Sequence, residues 1–396
     1  MQRLTDTGPL ILGGAIAPFG NHRDGTHWRD RVRQVAAGAL RDAGLELRDI
    51  DALVVGTESD AMSLQINPAP VVASDLGLTH CAVMRVEGGG ASGGMALRAG
   101  LMQVMSGLAR HVLVVGFDDA ASRLSSADTR LLYALSFDTD IEGLAGATSV
   151  SLYALSMAAH MRRHGSTEEQ MAAVSVKNRG NAHLNPNAHK PMTLGIADVM
   201  RSPRVSTPYK RLDCSLLSDG AAAIVLSAAA HAPRTAHARV RIVGSGCAAD
   251  RARLGDRPEP HRFAAKAAAA QAAYAMAGVD EASSQIDVAE VYDAFSGTEL
   301  QALEALGLSA EGQAGAACRA GEFDRLGRLP VNLSGGLMGQ GGSPGAVGIA
   351  QAVTVTQLLR GSYPGQPLRD WRRGLVDTHG GVATACVVHV LERQDD

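Results

Sequence analysis

The strongest constraint in this sequence is a unit that occurs twice. Residues 51–59 read DALVVGTES and residues 287–295 read DVAEVYDAF, at equivalent places in two halves of the chain. Each begins as a short continuous apolar run, the pattern of a strand buried on both faces. In the first half, residues 10–16, 51–56, 82–87 and 111–117 are expected as strands, with helices over 28–43 and 92–108. The second of these helices carries Leu97, Leu101, Val104, Met105 and Leu108 at helical spacing. In the second half, strands are expected over 239–246, 287–292 and 383–391, and helices over 263–277, 300–306 and 346–359. Such alternation predicts an α/β protein whose largely parallel sheet is covered on both faces.

Within the first half the texture changes. Residues 118–212 are more polar, with a loop-like run at 181–191 and helical pieces at 153–163 and 167–178, before a small-residue, buried pattern returns at 219–226. The expected organisation is a first half made of 1–117 and 213–235, an insertion over 118–212, and a second half over 236–396. A length of 396 residues accommodates two or three domains of roughly 150 residues each.

Composition removes several function classes. With 37 basic against 40 acidic residues, net −3, nothing favours nucleic acid or an anionic membrane surface. No run approaches the roughly 18 apolar residues of a membrane span. The N-terminal stretch lacks a basic segment followed by a long apolar one, which argues against export and for a cytoplasmic protein. The cysteines (Cys81, Cys214, Cys247, Cys318 and Cys386) are scattered and never form a C-x-x-C pair. Neither a disulfide framework nor a zinc site is expected. His160, His183 and His189 have no carboxylate at metal-ligand spacing and read as surface or substrate-side residues, so no metal is expected.

The turn from Glu87 to Gly94 admits two readings. Gly88, Gly90 and Gly93 match G-x-G-x-x-G between a strand and a helix, with Asp118 closing the next strand where a ribose-binding acid could sit. Among 45 glycines such a match is weak. The other reading draws on several motifs in order along the chain. These are Ile16 to Gly20, Ala173 to Arg179 with Asn185 to Ala188, Asp213-Cys214-Ser215, and Ser218 to Ala223. Tyr292-Asp293-Ala294-Phe295, Val331 to Gly336 with Gly341 to Gly345, and Thr378 to Gly381 complete them.

Together these motifs resemble the thiolase superfamily, especially the sterol-carrier-protein-X-type (lipid-transfer) thiolases, over nearly the whole chain. The resemblance implies a five-layer αβαβα thiolase fold, two similar halves with an inserted loop domain on the coenzyme A side. It also implies a homodimer with the strand near Met84 to Glu87 at the two-fold, and more weakly a small OB-fold and zinc-ribbon partner that helps bind acyl-CoA. Coenzyme A would enter as part of the substrate, with no covalently bound cofactor.

Against that family pattern the expected catalytic side chains are replaced. The nucleophilic cysteine of E-x-x-C-A-S-G aligns with Gly90, the histidine of G-H-P with Gly342 or Ser343, and the histidine and cysteine of H-D-C-F with Tyr292 and Ala294. The C-terminal cysteine aligns with Thr378. An acyl-cysteine is therefore not expected. The Gly90 and Gly380 N–H groups could still form an oxyanion hole for a thioester enolate. The resemblance then points to aldol or retro-aldol cleavage of a β-hydroxyacyl-CoA, as in thiolase-like retro-aldolases that use tyrosine in the Y-D-x-F loop. Their second tyrosine, in the loop aligned with 341–348, has no counterpart. A phenol of pKa about 10 needs tuning by its neighbours to act as a base near neutrality. Candidate catalytic residues are Tyr292, His379 and Asp293; candidate substrate or coenzyme A contacts are Ser215, Ser92 and Gly342. His379 reads equally as a partly exposed loop histidine, and Ser92 as a helix-start hydrogen-bonding residue. The competing classes are a non-catalytic acyl-CoA-binding subunit and an acyltransferase with a replacement nucleophile such as Ser92.

Overall fold

The computed structural model describes residues 3–233 and 237–395; the expected boundary at 235/236 lies outside them. Nine strands form one mixed sheet: β1 (Leu10–Ile16), β2 (Ala52–Gly56), β3 (Ala82–Val86), β4 (His111–Asp119), β5 (Asp219–Ser227), β6 (Val240–Ala249), β7 (Val288–Glu290), β8 (Arg373–Gly380) and β9 (Ala385–Arg393). Their order is β3-β2-β4-β5-β1-β6-β9-β8-β7. The duplication is visible in this order. In the first half β2 is parallel to β4, which pairs antiparallel with β5, and β5 antiparallel with β1. In the second half β7 is parallel to β8, β8 antiparallel to β9, and β9 antiparallel to β6. Two residue pairs of β1 and β6 join the halves. The first half alone has an extra edge strand, β3.

The principal helices are α1 (Trp28–Ala43), α2 (Pro68–Leu76), α3 (Ser92–Met105), α4 (Ser126–Tyr133), α5 (Ser149–His164), α6 (Glu168–Asn181), α7 (Ala264–Ala277), α8 (Ser296–Ala305) and α9 (Pro344–Leu359). They sort by what they bury. α1 turns Val32, Val35, Ala36 and Ala39 onto the outer face of the first half-sheet. It is capped at His27 and stopped by Gly44 in the left-handed region. α7 does the same for the second half with Ala269, Ala270, Ala273 and Ala277. Between the half-sheets lie α3 and α9; all of α9 from Pro344 to Thr356 is buried. A helix buried on nearly all sides is mostly apolar, and Ala346–Leu359 is so apart from Gln351, Thr354, Thr356 and Gln357. The result is the αβαβα layering.

α3 and α9 cross where both carry glycine. A Cβ on Gly93 would stand 2.7 Å from the Gly345 carbonyl oxygen and 2.9 Å from the Gly348 nitrogen; one on Gly348 would stand 2.8 Å from Gly94 Cα. These are backbone contacts that no rotamer change relieves. The glycines after Glu87 therefore have a packing reason to exist, and it brings two helix N-termini together at one end of the sheet.

The chain leaves the sheet after β4 and re-enters at β5. Residues 120–218 carry α4, α5, α6 and a small hairpin, Arg204–Ser206 with Tyr209–Lys210. The sheet is mixed, not largely parallel as expected: five of its eight strand pairings are antiparallel, and one strand was not expected at all. β8 was not anticipated, because RGLVDTHG contains Asp377, Thr378 and His379, all fully buried. These buried polar groups make the segment read as a loop. Among the described residues no helix is long and apolar enough to cross a membrane.

The glycine crossing makes a stability prediction. Gly348→Ala should cost about 1–3 kcal/mol, because overpacking against backbone outweighs the gain in helix propensity. Gly180→Ala, at an exposed position of α6 with open space around it, should be neutral or stabilising by up to about 1 kcal/mol. Thermal midpoints moving in opposite directions bear this out; equal tolerance of both contradicts it.

Candidate active site

Four strand ends converge on one cavity of ≈ 350 Å³. Glu58 follows β2, Tyr292 follows β7, and His379 is the penultimate residue of β8; behind them Asp118 is the penultimate residue of β4. The segment before β5 supplies Tyr133 from α4, Tyr153 from α5, and Ser215. Gly90, Phe295, Leu337 and Gly342 also line it.

Tyr292 and Gly90 share one space. A Cβ on Gly90 would overlap the Tyr292 hydroxyl and the His379 carbonyl, and would lie 2.9 Å from Tyr292 Cζ. The phenol thus stands where a side chain at residue 90 would project. Its ring packs on His379, with centroids 4.6 Å apart. Burial, then the charge of Glu58, pushes the Tyr292 hydroxyl well above its ordinary value. That is the wrong direction for a base: Tyr292 keeps its proton and is poised as a donor, which corrects the expectation that neighbours would tune it toward a base.

His379 is fully buried on β8, not partly exposed on a loop. Lys266 Nζ lies 3.0 Å from its Nδ1, and Tyr153 Oη lies 3.0 Å from its Nε2. Lys266 also pairs with Asp377, and the Tyr153 hydroxyl donates to the Gly381 carbonyl. One tautomer satisfies the whole chain: Lys266 donates to Nδ1 and Nε2–H donates to Tyr153. Burial and the adjacent Lys266 charge hold His379 well below its usual pKa. With both nitrogens engaged it presents its ring face, not a free nitrogen, so a direct acid–base role does not fit; it braces Tyr292.

Asp293 also differs from expectation. It is fully buried, accepts from Leu337 N (2.6 Å) and Asn178 Nδ2 (2.7 Å), and does not line the cavity. It fastens the helical turn Gly336–Gly339 to α6. A buried network continues behind it: Lys177 pairs with Glu299 at 2.9 Å, and Asn178 and Asn332 both donate to Glu299. Ser92 is buried, accepts from Gly88 N (3.0 Å) and donates to Gly89 O (2.7 Å). It closes the turn and does not reach the cavity, so neither nucleophile nor substrate contact fits. Ser215 and Gly342 do line the cavity. Gly380 packs against Gly88, with Gly381 on the cavity side.

The histidines of the insertion are not all surface residues. His160 is buried and bonded to Glu304 at 2.8 Å, and His189 is half-buried against Ser218 at 2.8 Å. The thiols are no better as nucleophiles. No cysteine lines the cavity; burial pushes Cys214 and Cys386 up to about 12.

Glu58 and Tyr133 were not identified from sequence. Tyr133 Oη donates to Glu58 Oε2 at 3.1 Å, and Glu58 N donates to Asp118 Oδ1 at 3.1 Å. Burial and the neighbouring Asp118 charge raise Glu58 to about 8; burial raises Asp118 to about 7 although Gly345 N, at the start of α9, donates to it at 2.6 Å. The signal was present in the repeat: Glu58 follows β2 as Tyr292 and Ala294 follow β7.

The comparisons with known proteins agree with this architecture. Residues 10–193 match the family "Thiolase, N-terminal domain" and residues 246–393 match "Thiolase C-terminal domain-like". The chain is 36% identical over 384 residues to an acetyl-CoA acetyltransferase of Methanothermobacter thermautotrophicus, covering 97% of this chain and 99% of that one. The chain belongs to the thiolase superfamily. Within the superfamily it is also 30% identical to the 17-hydroxy-3-oxo-4-pregnene-20-carboxyl-CoA lyase of Mycobacterium tuberculosis, covering 88% of this chain and 91% of that one. The solved "Ltp2-ChsH2(DUF35) aldolase" superposes with a TM-score of 0.83 at 26% identity, covering 98% of both chains. This thiolase-superfamily chain thus resembles proteins named for acyl transfer and for C–C cleavage.

Glu58 gives a pH prediction. Its proton is held more tightly in the folded than in the unfolded chain, so its contribution to stability is present at low pH. That contribution is lost as pH rises from about 4.3, the unfolded carboxylate value, through about 8. Glu58→Gln removes the loss. Its thermal midpoint relative to wild type should therefore climb between roughly pH 5 and pH 9; a difference that stays flat with pH contradicts the assignment.

Proposed function

We propose that this thiolase-superfamily chain makes or breaks a C–C bond beside an acyl-CoA thioester by aldol chemistry, without an acyl-enzyme. The observation that carries the reading is the Tyr292 hydroxyl occupying the space of any side chain at residue 90. A donor stands where thiolysis needs a nucleophile.

In the cleavage direction the substrate is a β-hydroxyacyl-CoA. The β-hydroxyl loses its proton to Glu58, relayed through Tyr133. The Cα–Cβ bond breaks, leaving a ketone or aldehyde, and its electrons pass into the thioester as an enolate. The backbone N–H groups of Gly90 and Gly380 are proposed to stabilise the enolate oxygen. Tyr292 delivers a proton to Cα, giving the shortened acyl-CoA, and the Glu58 proton returns to the phenolate to restore the site. Atoms and charge balance with no cofactor beyond the coenzyme A of the substrate. Ser215 and Gly342 are assigned to the substrate arm of the cavity. His379, Lys266 and Tyr153 are positioning residues for the Tyr292 ring. Tyr133 is offered as the second tyrosine that the 341–348 loop lacks.

Names of relatives support both this reading and acyl transfer; the side chains favour the former, since Ser92 is spent on backbone and the cavity lacks a thiol. A second reading, a non-catalytic acyl-CoA-binding subunit, draws support from His379 having no free nitrogen. The homodimer expectation remains a proposal on β3, whose outer edge is unpaired and exposes Val83 and Met84. A small acyl-CoA-binding partner is proposed on the likeness to the Ltp2–ChsH2 assembly.

Tyr292→Phe tests the assignment. It should lower kcat for cleavage of a branched β-hydroxyacyl-CoA by about 10²–10⁴, with KM little changed. Unchanged turnover removes Tyr292 from the chemistry; binding with no turnover by the wild-type protein, alone and with its partner, favours the subunit reading.

A further inference from the structure

A second cavity, of ≈ 610 Å³, is lined by α7 and the C-terminal end of α5, and three metal-ligating side chains meet there. His164 is the last residue of α5, His261 precedes α7, and Glu311 follows α8. One ligand atom from each lies within 4.8 Å of the others. We propose that His164, His261 and Glu311 form a zinc-type divalent metal site that ties α5 to the second half of the molecule.

The arrangement suits such an ion in several ways. His164 Nε2 is buried without a hydrogen-bond partner and lies 3.5 Å from Glu311 Oε1. Two ligands on a tetrahedral zinc at about 2.05 Å stand roughly 3.3 Å apart, so this pair is already spaced for it. His261, only partly buried, needs a side-chain adjustment of about an ångström to close the third bond. Two imidazoles and one carboxylate are the borderline donor set that zinc accepts, with the cavity leaving room for water as fourth ligand.

The surroundings orient the ligands. Arg262 donates to Glu311 Oε2 at 2.8 Å, which turns Oε1 toward His164. His160 packs on the His164 ring at 4.8 Å between centroids, and its own nitrogens are taken by Glu304 and Ser166. Gly312 makes room: a Cβ there would stand 2.8 Å from His164 Nδ1. The charged groups lining this cavity are Glu259, Asp280, Glu281, Glu304 and Glu311 against Arg262, an excess of carboxylate. Sequence spacing gave no sign of this group, because its members come from three distant segments.

The test uses the full chain, stripped with a chelator and titrated with Zn²⁺ by calorimetry and with Co²⁺ by visible absorption. The expected result is one equivalent bound, a tetrahedral Co²⁺ spectrum, and a thermal midpoint that rises with zinc. Affinity should fall at least about ten-fold in both Glu311→Gln and His261→Ala, while His183→Ala binds as wild type. Glu311 is exposed, so its variant should fold without difficulty. No binding by wild type, or equal affinity in wild type and both ligand variants, overturns the proposal.

Discussion

The crossing of α3 and α9 at Gly93, Gly94, Gly345 and Gly348 sets the distance between the two half-sheets. With backbone against backbone, the half-sheets can both pack on a single layer of buried helix. The same approach places the N-terminus of α3 beside that of α9, at the end of the sheet where the strands deliver Glu58, Asp118, Tyr292 and His379. The cavity follows from the packing: strand ends from a duplicated unit face each other across the helix pair. Functional groups at the ends of parallel strands are a general property of such α/β architectures.

Within that frame the electrostatics are arranged by burial. Glu58 and Asp118 rise toward neutrality, and Tyr292 is driven further from ionisation. His379 is kept neutral by burial and by Lys266. Carboxyls able to accept a proton near neutral pH thus lie near a phenol that holds one, the separation of acid and base strengths that proton-transfer sites exploit. The Lys266–His379–Tyr153 chain spends its polar atoms on its own members, on the Asp377 carboxylate and on the Gly381 carbonyl, which fixes the ring against which Tyr292 rests.

Much of this was legible in the sequence, for identifiable reasons. β1 and α1 were expected at their observed bounds because apolar periodicity and capping agree there. Tyr292 and Gly90, singled out by the Y-D-x-F and glycine motifs, lie side by side in the structure. What could not be read was anything set by long-range polar contact. β8 looked like a loop because its buried Asp377 and His379 are satisfied by Lys266 on a distant helix. Asp293 looked catalytic because a carboxylate beside Tyr292 invites that role, whereas its oxygens are held by Leu337 and Asn178. Tyr133 and the three metal-ligating side chains carry no local signal, since only folding brings them together.

We propose that chemistry beside Gly90 proceeds without a covalent intermediate. It is tested most directly by intact-protein mass spectrometry and product analysis after mixing the chain with a branched β-hydroxyacyl-CoA, or with a 3-oxoacyl-CoA plus coenzyme A. The expected result is a carbonyl product and a shortened acyl-CoA from the hydroxy substrate, with the protein mass unchanged throughout. An acyl adduct on the protein, or thiolysis of the 3-oxo substrate, would contradict it.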